Sequence, residues 1–579
     1  MHTRHMSVVD GIERAVREFP DGDALRTADR AVSYQEFGEL TDDFARRLAV
    51  RTEPGEFIGI ESCRDIGAVV AMVGALKARR PFVVIDERDS RASNTDKVRL
   101  LGLRLLATTS SPGGHVDLTE VRPQWLPADR APGDEWRPPR GLPSTDGDLG
   151  YAITTSGSTG KPKCVLVRAA PLAPVIRDHV DRLSVGPDSR TLQFARLTFD
   201  GCLTEILWTL TAGACLVVLD ESHLAPGVIL RDTLERFRIT HLKTTPFALT
   251  ATEPTAAMSL EHVVNGGGPC RLSVIRKWSA VASFHNAYGL TETTVCNLLS
   301  DPLDPDECRD SVPLGTRVGD CAYHIRHVDA VEGATAATDG GAERGELVIT
   351  GDSVALGYLT EHGVQSFRQT DDAGVYRTGD IVEHRDGRLH FVERLDRQVK
   401  VRGYRLDPGE IENAVCRLDT VRDAVVMAEA HDGADADDLD VLVCYYQGEP
   451  DPRTVRRHLE GLLDPYKIPS VLDHVESFPY TPNGKVDRDA LRVGRRRLAA
   501  EDAPPSSPDL RLLHLVRTLT GVDDVQLEDN FFEVGGDSAS AVVLVNEMRG
   551  LGWVDAGIRD VLRAENLRVL VGQLQERSV

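Results

Sequence analysis

TTSGSTGKPK occupies residues 154–163 and is the most informative stretch of this 579-residue chain. Its glycines allow the backbone to turn several N–H groups toward one anion, and its hydroxyls and lysines add further donors. The stretch is not a Walker A loop, because Pro162 follows Lys161 where that motif needs Ser or Thr. A polar surface turn is the alternative interpretation. Since ten residues of this composition seldom occur together by chance, the stretch predicts a phosphate-binding loop.

On both sides of this loop the chain alternates between strand and helix patterns. FIGIES and PFVVID are typical of strands, the apolar run at 66–78 predicts a helix, and LTEILWTLTAGACLVVLD predicts a helix directly before a strand. Such alternation indicates α/β layers. From about 401 to 492 the pattern changes to a smaller α+β unit, with a helix at IENAVCRL and a strand at DDLDVLVCYYQ.

A linker precedes the last part of the chain. VGRRRLAAEDAPPSSPD at 493–509 combines a basic cluster with Pro, Ser and Ala and has no apolar period. The segments LRLLHLVRTLTGV, ASAVVLVNEMRGLG and NLRVLVGQLQER follow it and have helical patterns. From 501 to 579 the chain has 14 acidic and 7 basic residues and contains no lysine. This pattern predicts a small acidic helical domain on a flexible tether.

Composition limits the classes of function. The length suggests three or four folding units, and 67 Lys and Arg against 90 Asp and Glu give a formal charge of −23. Because an acidic surface repels phosphate backbones, we expect no nucleic-acid partner. The sequence has no apolar run long enough for a membrane span and no secretory h-region, so we expect a cytoplasmic protein. Ten cysteines without a C-x-x-C pair argue against structural zinc and a disulfide framework.

Further motifs follow the loop in a fixed order. They are NAYGLTETT at 286–294, GELVITGDSVALGYL at 345–359, YRTGDI at 376–381, GRLHFVERLDRQVKVRGYRLDPGEIE at 387–412 and PNGKVDRDAL at 482–491. Together with the loop, they resemble the motifs of the adenylate-forming enzymes, which include acyl-CoA synthetases, luciferases and the adenylation domains of nonribosomal peptide synthetases. Their order and spacing extend the resemblance over nearly all of residues 1–492.

This resemblance implies an α/β multidomain fold. A large adenylation core of α/β layers would span 7–395, and a small mobile α+β subdomain would span 396–492 and swing about a hinge at Asp396. The linker would span 493–508, and a four-helix-bundle peptidyl carrier domain 509–579. The implied reaction joins a carboxylate to the α-phosphate of ATP and expels pyrophosphate, so the protein contributes mainly positioning and charge stabilisation.

The resemblance also implies roles for individual residues. Lys485 would bridge the substrate carboxylate and the phosphate, Thr291 would meet the α-phosphate, and Glu292 would hold Mg²⁺. The implied ATP-binding residues are Thr155, Ser156, Gly157, Ser158, Thr159, Gly160, Lys161, Asn286, Tyr288, Gly289, Asp380 and Arg394, of which Asp380 and Arg394 would contact the ribose. For any one of the charged residues among them, an ordinary surface ion pair is the alternative interpretation.

The segment FDGCLTE at 199–205 resembles the start of the family's acid-binding pocket. Asp200 would pair with the α-ammonium group of an amino-acid substrate. The remaining implied pocket residues are Gly201, Thr204, Lys243, Val264, Gly266, Ala287, Val295 and Cys296, with Lys485.

Lys243 is the most informative pocket residue, because an unpaired buried ammonium is costly. It favours aspartate, asparagine or a close derivative, with Thr204 as a further donor. Lys243 could instead extend outward into solvent or pair with a carboxylate of the protein. Because several of the pocket residues are small, an aromatic or other amino acid is the alternative substrate.

DNFFEVGGDSASAVVLV at 529–545 resembles a peptidyl carrier domain, in which Ser538 would receive 4'-phosphopantetheine. A serine that only caps a helix is the alternative interpretation. The resemblance implies a phosphopantetheinyl transferase and a downstream tailoring, condensation or transferase enzyme as partners, and an MbtH-like protein as an optional one. Without a recognisable condensation or thioesterase segment, we expect a stand-alone loading didomain. An acyl-CoA ligase and an inactive binding scaffold are the alternative functions.

The sequence departs from the family's pattern at three places, one of which is a pair of residues. Cys164 and Glu393 stand where the family usually has glycine, and Arg79 and Arg80 stand where an early motif usually has small residues. None of these departures removes an implied catalytic group, but Glu393 lies beside the hinge.

Overall fold

The computed structural model describes most of the chain. Described are residues 6–61, 64–109, 114–127, 138–139, 142, 148–155, 163–268, 270–308, 311–327, 344–368, 374–385, 387–395, 398–401, 404–430, 440–479, 486–488, 490–492, 508–520, 525–534, 536, 540–541, 544–545, 548, 553 and 556–577. Within this part of the chain every helix is too short or too polar to cross a bilayer.

A large mixed α/β core comprises the described residues up to Leu395. Its strands are β1 (Asp23–Arg26), β2 (Ala31–Ser33), β3 (Ile58–Glu61), β4 (Phe82–Ile85), β5 (Leu105–Thr109), β6 (Val116–Glu120), β7 (Leu149–Thr155), β8 (Lys163–Arg168), β9 (Arg190–Leu192), β10 (Cys215–Val217), β11 (His241–Thr244), β12 (His262–Asn265), β13 (Ser283–Tyr288), β14 (Leu298–Leu299), β15 (Thr316–Arg317), β16 (Ala322–Arg326), β17 (Arg344–Gly351), β18 (Gly357–Thr360), β19 (Gly363–Ser366), β20 (Gly374–Arg385) and β21 (Arg388–Arg394). Its helices are α1 (Val8–Glu18), α2 (Tyr34–Arg51), α3 (Ile66–Lys77), α4 (Arg91–Leu101), α5 (Leu172–Arg182), α6 (Gly201–Thr211), α7 (Val228–Arg236), α8 (Pro246–Ala251) and α9 (Leu272–Ser279).

Two large sheets organise this core. The first has the strand order β15-β14-β13-β12-β11-β9-β10-β1-β2, and the second has the order β19-β18-β8-β7-β4-β3-β5-β6. In the first sheet the strands from β13 to β1 run parallel. A smaller antiparallel sheet has the order β16-β17-β20-β21. The α/β layers predicted from the sequence are confirmed.

Helices α1, α2, α3, α5 and α6 fill the space between the two large sheets. Their apolar side chains form one cluster with residues from both sheets. Successive side chains of β10 point to opposite faces of the first sheet. Leu216 belongs to this cluster and Val217 belongs to the cluster formed with α7, α8 and α9, so both faces of the sheet are covered. Helix α3 is buried on all sides, as its uniformly apolar sequence predicts. It packs closely on α2, where a Cβ at Gly74 would lie 2.7 Å from the Phe44 ring.

The small subdomain begins with a hairpin. Its elements are β22 (Val399–Val401), β23 (Tyr404–Leu406), α10 (Pro408–Val415), β24 (Val421–Ala430), β25 (Asp440–Gly448), α11 (Pro452–Glu460) and β26 (Val471–His474). Strands β24, β25 and β26 form a three-stranded sheet on which both helices pack. The backbone N–H of Ser90 donates to Asp464 Oδ1 at 3.1 Å, which joins the subdomain to the large core.

The last domain contains α12 (Pro508–Thr520), helical positions between 540 and 548, α13 (Ile558–Arg563) and α14 (Leu567–Arg577). These segments bury Leu512, Leu544 and Leu570 in one cluster, as a helical bundle requires. Ile229 of α7 belongs to the same cluster, and Phe247 of α8 packs against it. The helical domain therefore docks on the α7–α8 surface of the large core.

Candidate active site at the carboxyl ends of the core strands

Three parallel strands of the first large sheet end side by side at the site. Lys243 on β11 lies opposite Val264 on β12, and Val264 lies opposite His285 on β13. Side chains two residues apart on a strand share one face, so Ala287 follows His285 on the same side. The structure thus brings together predicted pocket residues that lie far apart in the sequence. Ligands commonly bind outside the carboxyl ends of the strands in open parallel sheets.

Asp200 lies directly before α6 and does not cap it with its side chain. Its Oδ2 atom is buried and accepts no hydrogen bond from the described residues. Burial raises the pKa of Asp200 to about 6, although a hydrogen bond from Thr291 and the charge of Lys243 act in the opposite direction. The carboxylate therefore has an acceptor position open for a cationic group.

The side chain of Lys243 extends into the pocket. Its Nζ donates to Thr204 Oγ1 at 2.5 Å and lies 3.5 Å from the carbonyl oxygen of Gly201. A Cβ at Gly266 would lie 3.5 Å from Lys243 Cε, at ordinary van der Waals distance, so the stem of the lysine passes directly over this glycine. Among the described residues, both hydrogen-bond contacts of Nζ are with uncharged oxygen atoms. The Nζ atom points into the pocket rather than to solvent, but the charge of Lys243 also lowers the pKa of the buried carboxyl groups of Asp200 and Glu205, as its second alternative interpretation requires.

One wall of the pocket consists of a strained loop after β13. Thr294 and Val295 have positive φ angles of 63° and 64°, which side chains of this shape rarely adopt. Gly289 faces the same loop, and a Cβ there would lie 2.0 Å from the carbonyl oxygen of Val295. The next residue, Cys296, is buried and its Sγ lies 3.4 Å from the carbonyl oxygen of Leu298. Strain of this kind persists where the surrounding structure fixes a functional geometry.

Glu292 lies in the 3₁₀ turn Thr291–Thr293 and is buried. Its Oε1 accepts a hydrogen bond from the Tyr358 hydroxyl at 2.7 Å, and its Oε2 lies 3.4 Å from Nη1 of Arg405. Burial alone would raise the pKa of Glu292, but the charge of Arg405 and the Tyr358 hydrogen bond lower it overall. The carboxylate is therefore held ionised in a buried place.

Asp380, one of the residues predicted to contact the ribose, is also buried. Its Oδ2 accepts a hydrogen bond from the Tyr288 hydroxyl at 2.5 Å, and its Oδ1 pairs with Arg394. The Asn286 side chain is also buried and already bonded, since its Nδ2 donates to the Pro313 carbonyl oxygen at 3.1 Å. Tyr288, Asp380 and Arg394 thus form one connected polar group, whereas the Asn286 side chain bonds elsewhere.

Several predicted site residues lie outside the described part of the chain. Thr155 ends β7, but its side chain is not described. The others are Ser156, Gly157, Ser158, Thr159, Gly160, Lys161, Asp396, Lys485 and Ser538. Cys164, in contrast, is fully buried on β8 and belongs to the apolar core, so its departure from glycine is compatible with the fold.

Sequence reasoning missed four residues that contact the site. Tyr358 donates to Glu292, and Arg405 pairs with it. Tyr404 and Tyr466 pack on Phe199, the residue before Asp200, with ring centroids 4.9 and 5.4 Å away. Tyr358, Tyr404 and Arg405 stand within motifs already quoted, so their position in those motifs was the available signal. Nothing in the local sequence marked Tyr466.

A family model described as "AMP-binding enzyme" matches residues 12–359, and a second one, "Phosphopantetheine attachment site", matches residues 511–574. The first covers more than half of the chain. The chain belongs to the AMP-binding enzyme family.

Relatives and solved structures agree with this assignment. The chain is 32% identical to Novobiocin biosynthesis protein H of Streptomyces niveus, over 93% of this chain and 91% of that protein. It is 30% identical to Bacitracin synthase 3 of Bacillus licheniformis, over 96% of this chain but only 9% of that protein. The chain spans 15% of Tyrocidine synthase 2 of Brevibacillus parabrevis at 29% identity over 93% of its own length.

Among solved structures, the fold matches holo-PA1221, "an NRPS protein containing adenylation and PCP domains", with a TM-score of 0.75 and 24% identity over 99% of this chain and 97% of that one. The artificially fused didomain NpsA-ThdA from Klebsiella oxytoca matches with a TM-score of 0.64 at 22% identity, over 86% and 97% of the two chains. At these identities the match establishes the fold of an adenylation core followed by a carrier domain.

The residues of this AMP-binding enzyme fit its cofactors. Mg²⁺ prefers carboxylate oxygens, and Glu292 is a buried carboxylate whose lowered pKa keeps it ionised. Asp380 is a second buried carboxylate. Mg²⁺ supplies charge neutralisation to the phosphates when it is bound. The second family model assigns 4'-phosphopantetheine to the domain that contains Ser538.

Proposed function

We propose that the chain activates one amino acid with ATP and loads it on its own carrier domain. In the first step a carboxylate oxygen of the amino acid attacks the α-phosphorus of ATP, and pyrophosphate leaves with the bonding electrons. In the second step the thiolate of the phosphopantetheine arm attacks the acyl carbon, a thioester forms, and AMP leaves. Thr291, Glu292 and Lys485 are the proposed catalytic residues, and Asp380 and Arg394 are the proposed ribose contacts.

The observation that supports an amino acid as substrate is the open acceptor position on Asp200. Its buried Oδ2 lacks a protein partner. An α-ammonium group would supply both the positive charge and the donor that this oxygen lacks. A fatty acid or an aryl acid carries no such group and would leave the carboxylate unpaired.

We propose aspartate, asparagine or a close derivative as the substrate. The support is the ammonium of Lys243, whose Nζ donates to Thr204 in the pocket and forms no direct ion pair with a carboxylate of the described residues. A substrate side-chain carboxylate or carbonyl would accept from Nζ, and Thr204 is already its neighbour on the protein side. An apolar substrate side chain would bury Lys243 without accepting a hydrogen bond from Nζ, which would cost free energy.

Amino-acid-dependent ATP–pyrophosphate exchange tests this proposal. The panel contains aspartate, asparagine, 3-substituted aspartates, diaminopropionate, tyrosine and phenylalanine. We expect the strongest response from an acidic or amide member, and we expect Lys243→Met to abolish it. Arg190→Met, a change at a cation on neighbouring strand β9, serves as the matched control. A clear response to tyrosine or phenylalanine that survives Lys243→Met would refute the proposed substrate class.

The carrier step is supported by the docking of the helical domain. Ile229 of the large core shares an apolar cluster with the described helices of the last domain. Coexpression with a phosphopantetheinyl transferase should increase the mass of the protein by one phosphopantetheine group, and Ser538→Ala should prevent the increase. An unmodified wild-type protein would contradict the carrier assignment.

We further propose that the didomain supplies a loaded amino acid to natural-product biosynthesis. The support is the match to Novobiocin biosynthesis protein H, which extends over most of that protein. A downstream tailoring, condensation or transferase enzyme would then consume the thioester. If exchange stays silent for the whole panel, the measurement is repeated with an MbtH-like protein added, because such a protein is the remaining proposed partner.

A further inference from the structure

Glu205 is a buried carboxyl group directly behind the substrate pocket. It follows Thr204 on α6, and its side chain is fully removed from solvent. The backbone N–H groups of Phe194 and Ala195 donate to its carboxyl oxygens at 3.1 Å, and Nε2 of Gln193 donates at 3.2 Å. Glu205 thereby fixes the chain segment that leads to the start of the pocket.

Ala195 connects this carboxyl group to the ammonium group of Lys243. A Cβ at Gly201 would lie 3.8 Å from the Ala195 Cβ and 3.9 Å from Nζ of Lys243, so both border the same small residue. The backbone N–H of Ala195 bonds to Glu205 on its other side. A carboxyl group of the protein thus lies one residue behind the ammonium group that faces the substrate side chain.

Two cations face Glu205 from different elements. Lys243 approaches from β11, and Arg64 approaches from the loop before α3, where its Nη1 donates to Gln193 Oε1 at 2.8 Å. Burial raises the pKa of Glu205 to about 7, although the charges of both cations act in the opposite direction. Cys202 on the same helix is a neutral thiol, because burial raises its pKa well above the usual value. Both protonation forms of Glu205 therefore exist near neutral pH.

We propose that Glu205 determines whether the pocket prefers an acidic or an amide side chain, through its effect on the charge of Lys243. The inference rests on the proposed function, in which Lys243 faces the side chain of the substrate. An ionised Glu205 balances the ammonium group and repels a second carboxylate, which favours a neutral amide. A protonated Glu205 leaves the ammonium group unbalanced, which favours the carboxylate of aspartate. By linkage, a bound aspartate side chain increases the proton affinity of Glu205.

The first test uses the wild-type full-length chain and two non-hydrolysable adenylate analogues, aspartyl- and asparaginyl-sulfamoyladenosine. Calorimetry gives the ratio of their Kd values at a series of pH values. The preference for the aspartyl compound should fall by about tenfold or more as the pH rises through about 7, since one pKa unit of coupling corresponds to a factor of about ten. Asp200 also titrates near this pH, but it faces the same α-ammonium group in both compounds and cancels in the ratio. A preference that does not depend on pH would overturn the proposal.

The second test measures the same ratio in Glu205→Gln. This change removes the negative charge and keeps a carbonyl oxygen that can accept from Ala195. The preference for the aspartyl compound should then stay, at every pH, near the value that the wild type reaches at low pH. Glu429→Gln changes a buried glutamate of the small subdomain, which accepts from the Tyr445 hydroxyl at 2.6 Å, and is the matched control. A role of Glu205 in packing alone would weaken both compounds equally and leave the pH dependence in place, which would contradict the proposal. Should Glu205→Gln fail to fold, the wild-type pH dependence decides.

The outcomes keep this inference apart from the proposed function. If pyrophosphate exchange is absent with every amino acid of the panel, the proposed function fails. If exchange is present but neither analogue binds, the proposed substrate class fails together with the role of Glu205. If the analogues bind with a preference that is independent of pH and of Glu205→Gln, only the role of Glu205 fails.

Discussion

Replacing Asp200 by Ala tests the central electrostatic feature of the site. The buried Oδ2 of this residue has no partner among the described residues, and burial raises its pKa from 3.8 to about 6. In the complex with an amino acid, the substrate ammonium would complete a buried ion pair with this oxygen. Breaking such a pair by removing one partner costs about 3–5 kcal/mol. We therefore expect kcat/KM for the amino acid to fall by about 10²- to 10⁴-fold.

The same pKa predicts an opposite effect on stability. Because its pKa is higher in the folded state, Asp200 binds a proton more tightly there, and its contribution to stability falls as the pH rises from about 4 to about 6. At neutral pH the ionised group is disfavoured by up to about 3 kcal/mol relative to the unfolded chain. Asp200→Ala should thus leave the Tm unchanged or raise it.

The assay combines pyrophosphate exchange with thermal unfolding at neutral pH. Asp188→Ala changes an exposed aspartate of the same core and is the matched control. Loss of exchange together with an unchanged or higher Tm identifies a substrate-binding carboxylate. Unchanged turnover in Asp200→Ala would refute the reasoning and indicate a substrate without an amine. Loss of activity together with a lower Tm would refute the assignment of Oδ2 as an unpaired group.

Four further predictions concern other parts of the chain. The Asp200 carboxyl group must be ionised to bind an ammonium group, so kcat/KM should fall as the pH falls through about 6. A kcat/KM profile that is flat between about pH 5 and 8 would contradict this. Ile229→Asp should slow carrier loading by about 10-fold or more and leave exchange unchanged, because it places a charge in the docking cluster; Val228→Asp, at a 40% exposed neighbour, is the control. Gly289→Ala should lower both Tm and exchange, since the new Cβ would meet the backbone of Val295 at 2.0 Å; a stable, active variant would show that the loop can move. Lys485→Ala should reduce adenylation by about 10²–10³ and affect transfer from preformed adenylate much less, and equal losses would refute that division of roles.

Much of the fold was predictable from local patterns. The apolar run at 66–78 contains helix α3, and FIGIES and PFVVID contain β3 and β4. LTEILWTLTAGACLVVLD covers all but the first two residues of α6 and contains β10. These predictions are confirmed because periodicity and burial agree in each of these segments. The predicted domain boundaries remain predictions, as do the roles of the residues outside the described part of the chain.

The direction of Lys243 could not be predicted from the sequence. Strand β11 alone allows the side chain to face either side of the sheet, and an aliphatic stem of this length can reach solvent from many buried positions. Only the packing of α6 and β12 around it places Nζ beside Thr204, where its charge also lowers the pKa of the buried carboxyl groups of Asp200 and Glu205.

The sequence by itself determined the family, the order of the motifs and the chemical types of the site residues. These properties depend on side-chain identity and spacing, which are local. Tertiary structure decided which groups lie together: Tyr358 and Arg405 at Glu292, and Tyr404 and Tyr466 at Phe199. It also decided that Asp200 keeps an open acceptor position. Pairing and desolvation of a charge depend on every element packed around it, and no single segment of the chain contains that information.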